Sequence, residues 1–210
     1  MRRLLQLAFL LGVMFGPPRG SAQQVVDRIV ARVEDDIVCL SELRELGQFQ
    51  RLAGGQAESN ERLLDRLLDQ WIVKTEADAA HFPFPNDTDV DRQLELLRKQ
   101  FVPPEGFDGR LREAGLTMPR LHRMLAEQLY LARYLDYKFR PAVQIEQAEI
   151  EKYYRESLLP QLAARGESAP ALDTVEEQIR EVLVVRGINQ LADRWLEETR
   201  THLHVERSLP

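Results

Sequence analysis

His202 and His204 stand two residues apart in a stretch, His202–Glu206, whose apolar–polar alternation reads as a strand. On a strand that spacing puts both rings on one face, where a metal site could begin. Such a site needs three or four ligands, and no further cysteine or histidine cluster accompanies the pair. The two read as polar positions on a half-exposed strand, and no metal is expected. His122, in a helical stretch, and His81, in a proline-rich break, have no Ser or Cys near in sequence to form a proton relay. Cys39 is the single cysteine. It can form no internal disulfide, and at the end of an apolar strand it reads as a small buried residue, not a nucleophile. Asp35 and Asp36 are adjacent carboxylates, but they fall at a turn, where Asp is common for backbone reasons. Gly54-Gly55 lacks the Lys-Ser/Thr that completes a phosphate-binding loop. By its motifs the chain is not an obvious enzyme, and no cofactor is expected.

A softer pattern remains. Phe82, Phe84, Phe101, Phe107, Met118 and Met124 gather around the breaks between helices. Methionine and aromatic side chains can line adaptable surfaces that accept many apolar partners, although most such residues are simply core.

The elements that must position these residues follow an N-terminal leader. Met1-Arg2-Arg3, the apolar run Leu4–Phe15 and the small residues Gly20-Ser21-Ala22 have the three regions of a secretory signal peptide, with cleavage expected after Ala22. Twelve apolar residues are too few to span a bilayer, which takes about 20, so no stable membrane insertion of the mature chain is expected. Loss of Arg2, Arg3 and Arg19 takes the formal charge from −6 to −9. That balance disfavours nucleic acid, whose phosphates require a positive face, and favours solubility.

Residues 25–40 are rich in Val and Ile around Glu34-Asp35-Asp36, which predicts two strands joined by an acidic turn. A hairpin alone is marginal, and the strand at 202–206 is expected to complete a small antiparallel sheet with it. Between them the spacing predicts helices. Ser41 caps the first, which ends at Gly54-Gly55. The second, over 60–80, carries Leu64, Leu68, Trp71, Ile72 and Thr75 on one face, widened by Leu63 and Leu67. Asp87 caps a third, with Val90, Leu94, Leu97 and Phe101 in register, and a short helix near 105–114 follows. Gly115 suits a left-handed helix end, Thr117 a cap and Pro119 a first turn. The helix that starts there carries Leu121, Met124, Leu125, Leu129, Leu131 and Leu135 around most of its circumference, as in the centre of a domain. Thr174 and Glu177 have capping-box spacing at the start of the last helix, whose apolar positions include Val175, Ile179, Val182, Leu183, Leu191 and Trp195. The fold class is mainly α, with a small antiparallel sheet joining the N- and C-terminal strands.

The order of these segments resembles the N-terminal domain of SurA-type periplasmic chaperones, relatives of the parvulin-type prolyl isomerases. VVDRIVARVEDDIVCLSEL is similar to that family's opening hairpin and capped helix, and GLTMPRLHRMLAEQLYLARYL to its central helix. VQIEQAEIEKYYRE resembles the acidic helix that follows, and DTVEEQIREVLVVRGINQLADRWLEETRTHLHVE the closing helix and strand. The resemblance spans residues 23–207 and lies in segment order, no single motif being diagnostic. There are two departures. Ile145-Glu146 stands where a Ser or Thr cap is usual, giving a weaker helix start. Only residues 160–172, read as a linker through Pro160, Gly166 and Pro170, lie where relatives carry an inserted parvulin domain; a folded domain needs at least about 50 residues.

The resemblance therefore implies one chaperone-like domain over 23–210. It would be periplasmic, or otherwise secreted, and would hold unfolded or partly folded polypeptide, outer-membrane proteins among the clients, without ATP. Phe101, Phe107, Met118 and Met124 are the candidate client contacts. The alternatives are a prolyl isomerase and a non-catalytic adaptor for one exported partner.

Overall fold

In the computed structural model residues 27–101 and 106–209 are described; the leader expected over 1–22 lies outside them. Strands β1 (Ile29–Val33) and β2 (Asp36–Cys39) form the expected hairpin. Its turn places Glu34 at φ +50°, a left-handed conformation uncommon for a side chain other than Gly, Asn or Asp. Strand β3 (Val205–Arg207) lies antiparallel on the free edge of β1, giving the order β2-β1-β3. It starts three residues later than the alternation predicts. His202 and His204 consequently precede the strand, and both are exposed. The acidic turn fastens this edge. The backbone N–H of Glu34 donates to the His204 carbonyl at 3.1 Å, and its carboxylate accepts from the His204 N–H at 2.8 Å. Arg207 pairs with Asp65 at 2.8 Å, joining β3 to the second helix.

Helix α1 (Leu40–Leu52) starts one residue before the expected cap. Cys39 is the N-cap, its N–H donating to Glu42 Oε2 at 2.6 Å, while the Ser41 hydroxyl donates to the Asp27 carboxylate. Gly54, at φ +87°, ends the helical run in the left-handed conformation that glycine adopts without a Cβ clash. Helix α2 (Asn60–Ala79), capped by Ser59, buries Leu63, Leu64, Leu68, Ile72, Val73 and Ala77. Thr75, expected on that face, is exposed; Val73 and Ala77 take the inner positions. Asn86, not Asp87, caps α3 (Asp87–Arg98), accepting from the Asp89 N–H at 3.0 Å. After α4 (Gly106–Glu113), Gly115 turns the chain at φ +76° into α5 (Met118–Phe139).

Helix α5 is the central element, packing on α2, α3 and the last helix. It buries Leu121, Leu125, Ala126, Tyr130 and Tyr134, while Leu129, Leu131 and Leu135 are half-buried. A 3-10 turn leads to α6 (Gln147–Tyr153), where Glu149 accepts from the Glu146 N–H at 2.9 Å and supplies the cap that the Ile145-Glu146 start otherwise lacks.

The first half of the expected 160–172 linker, through Arg165, is helical. A π-helical stretch (Tyr154–Leu158) carries α6 directly into α7 (Leu159–Arg165). Pro160 would clash with the carbonyl four residues back in a regular α-helix, and the wider π turn immediately before it relieves that crowding. Gly166 then ends the helix at φ +70°, and only residues 167–171 connect it to α8 (Leu172–Arg200). Thr174 falls inside α8, donating back to the Ala171 carbonyl at 2.6 Å, so it is not the cap. Ile179, Ile188 and Ala192 form the buried face of α8, whereas Val182, expected among the packed positions, is 45% exposed. Gly187 lets the 143 loop approach α8: a Cβ there would lie 2.7 Å from Val143 Cγ1.

The interior divides into three clusters. One joins the end of α1 to α3, α4 and the start of α5, around Leu52, Leu94, Phe107 and Leu121. The second lies between the sheet, α1 and the first half of α2, around Val30, Val33, Leu43 and Leu64. The third joins the end of α2 to the later turns of α5, with Tyr130, Tyr134 and Trp195. Each fully buried Leu, Ile or Phe contributes about 1.5–3 kcal/mol relative to exposure. The clusters supply the stability that a lone cysteine cannot.

Candidate functional site

Three helices turn the same local stripe toward one space. Positions three, four and seven apart share a helix face. On α1 these are Glu42, Glu45 and Leu46; on α2, Leu67, Gln70, Trp71 and Lys74; on α5, Met124, Glu127, Gln128 and Leu131. With Ile37 and Val38 of β2, Phe84 from the loop before α3, and Tyr130, they line a cleft of about 280 Å³. Each stripe flanks the residues that the core takes, Leu46 alone on these stripes belonging to both. The cleft is the seam where the three clusters fail to merge: Val38, Leu46 and Trp71 belong to the sheet side, Met124 to the α3–α4 side, and Tyr130 and Leu131 to the α2–α5 side.

Its walls are held by polar anchors behind them. Trp71 Nε1 donates to Asp36 Oδ2 at 2.8 Å, so the acidic end of the hairpin turn fixes the indole at the rim. Tyr130 Oη donates to Asp78 Oδ1 at 2.8 Å. Burial, reinforced by that bond to a carboxylate, pushes the phenol up to about 12, so it remains a neutral donor. Phe84, 58% exposed, packs tilted against Tyr130 with ring centroids 5.0 Å apart. Ile37, 48% exposed, stands on the β2 side.

Charge at the rim is predominantly negative. Glu45 is paired with Arg120, and Glu42 caps Cys39. Lys74, the one cation in the lining among the described residues, is taken up by Asp78. Glu127 makes no ion pair or hydrogen bond among the described residues. Desolvation raises its carboxyl above the ordinary range, Glu45 and Glu42 add to that rise, and Arg123 and Lys74 oppose it.

Of the four candidate contacts, Met124 lines the cleft. Phe107 does not: it is 2% exposed, in T-shaped contact with Phe101 at 5.2 Å and covered by the Arg98 guanidinium at 5.3 Å. Phe101 and Met118 pack half-buried against the same α3–α4–α5 cluster, away from the cleft. The reason is α4, whose Phe107 and Leu111 fill the space between α3 and α5. Sequence reasoning placed Phe84 among the residues able to line an adaptable surface without carrying it to the candidate contacts, and it missed Trp71 and Ile37 as cleft residues. A mixed stripe beside the core stripe on α2 and α5 was the available signal.

Chemistry finds little support at this cleft. Cys39, outside the cleft lining, has its thiol raised by burial and by Asp27 and Glu42 nearby, which favours the protonated, weakly nucleophilic form. Among the described residues no three His, Cys, Asp or Glu side chains converge as metal ligands would. What the arrangement can do is bind apolar groups beside a negative rim. No protein-family model matches this sequence, and no curated protein matches it as a relative.

Proposed function

We propose that this protein is an exported, ATP-independent holding module that binds unfolded or partly folded polypeptide at the cleft between β2, α1, α2 and α5. One observation carries the reading: an apolar cleft, walled by Trp71, Phe84, Met124 and Leu131, that no element of the described chain fills. Met and aromatic walls accommodate varied side chains, and a cleft of about 280 Å³ lies at the lower end of ligand-pocket sizes, room for a few side chains of an extended segment. The resemblance to SurA-type chaperones supports the same reading and adds outer-membrane proteins as the client class. The stretch between α6 and α8, where those relatives carry a parvulin domain, is here α7 and the short 167–171 connection.

The test is aggregation of a urea-denatured outer-membrane porin diluted into buffer without nucleotide. The expected result is suppression at near-stoichiometric protein, repeated with an unrelated unfolded client and lost in a Trp71→Ala/Leu131→Ala double variant whose helical content is retained. Turnover of a proline-containing peptide would replace this reading with an isomerase. Tight binding to one folded exported partner, with no effect on either client, would replace it with an adaptor.

A further inference from the structure

We infer that the cleft selects apolar segments that carry a lysine or arginine, the cation seating against Glu127 and the neighbouring rim carboxylates. This inference rests on the proposed polypeptide-binding role and names the class of segment taken. Among the described residues the lining holds three carboxylates, Glu42, Glu45 and Glu127, against one ammonium, Lys74. Internal partners do not balance that set evenly. Arg120 answers Glu45, the Cys39 N–H answers one oxygen of Glu42, and Asp78 occupies Lys74. Glu127 is left beside Met124, Gln128 and Leu131 with no ion pair among the described residues. Its carboxylate stands exposed on the cleft wall. A bound apolar segment would exclude water from it at a desolvation cost; a cation on the same segment offsets that cost. An acidic segment would meet like charge and add repulsion, so one rim both attracts and rejects.

The experiment titrates the full mature chain with three fluorescein-labelled extended peptides of one apolar sequence, carrying two lysines, two glutamines or two glutamates. Affinity is expected in the order lysine, glutamine, glutamate. The lysine form should bind about fivefold tighter than the glutamine form at low salt, a factor in the range of partly exposed ion pairs, and the advantage should shrink as salt rises. In Glu127→Gln the lysine-to-glutamine affinity ratio should fall toward one, with helical content and melting checked as controls. Equal binding of the lysine and glutamine peptides, or a ratio unmoved by Glu127→Gln, overturns the selectivity and leaves the holding role standing. Binding of none of the peptides overturns both. A second copy of this chain as the true occupant would show as concentration-dependent self-association that no peptide competes away, and it too overturns both.

Discussion

Two corners of this molecule are built from like ingredients and end differently. Between α3, α4 and the start of α5, Phe101, Phe107 and Met118 close into solid core; between β2, α1, α2 and the middle of α5, Trp71, Phe84 and Met124 stand around an open cleft. The first corner has a short helix dropped into it, and Phe107 on that helix takes up the space. The second faces α1 with Glu42 and Glu45 and α5 with Glu127, and carboxylates cannot be driven into apolar contact without partners. Count of Met and aromatic residues does not separate the wall of an open cleft from a core wall. What separates them is whether a further element arrives to fill the gap and whether the facing residues can tolerate being dry.

The largest effect belongs to the closed corner. Phe107→Ala should lower the unfolding free energy by about 3–5 kcal/mol, as for a buried Phe truncation, read from urea denaturation. Client binding per folded molecule should be unchanged, and a loss of binding without loss of stability would return Phe107 to the site. Away from both corners, Gly187→Ala forces Val143 off α8. Overpacking costs about 1–3 kcal/mol and improved helix propensity returns about 1 kcal/mol, leaving a net loss of about 1 kcal/mol that a second change, Val143→Ala, should remove.

In the open corner Phe84→Ala should change stability by less than about 1 kcal/mol, since the ring is mostly in solvent and loses chiefly its tilted packing against Tyr130. Binding of an unfolded client should nonetheless weaken several-fold in anisotropy titrations. A large stability loss with unchanged binding would erase the distinction between the corners. The smallest effect concerns the loop that joins the two helices walling the cleft. Arg66 Nη2 and Gln50 Nε2 each donate to Glu58 at 2.8 Å, and these bonds hold its carboxyl down at about 2. A carboxyl depressed on folding stabilises the native state above its ordinary value of 4.5 and loses that contribution as pH falls toward about 2. Melting temperature should therefore decline over that window by slightly less in Glu58→Gln than in the parent.

Much of the fold was legible residue by residue. Gly54 and Gly115 marked real left-handed stops because their backbone needs are local. The Val-rich hairpin and the recurrence of Val90, Leu94 and Leu97 marked a real strand pair and a real buried face. Caps were less legible: Ser41 bonds Asp27 instead, and Asn86 precedes Asp87, because several adjacent residues can each accept the same N–H. Pro160 looked like a break, yet the π turn before it lets the helix run on. Of the residues around the cleft, the sequence singled out Met124 and Phe84.

Local chemistry thus settled the kinds of element, their order and the mainly helical class, since period, glycine conformation and β-branching act within a few residues of themselves. Packing decided which aromatic rings went under cover, where β3 began, and that a negative-rimmed cleft stayed open. Those outcomes depend on the space left between segments far apart in the chain, and no stretch of sequence records that space by itself.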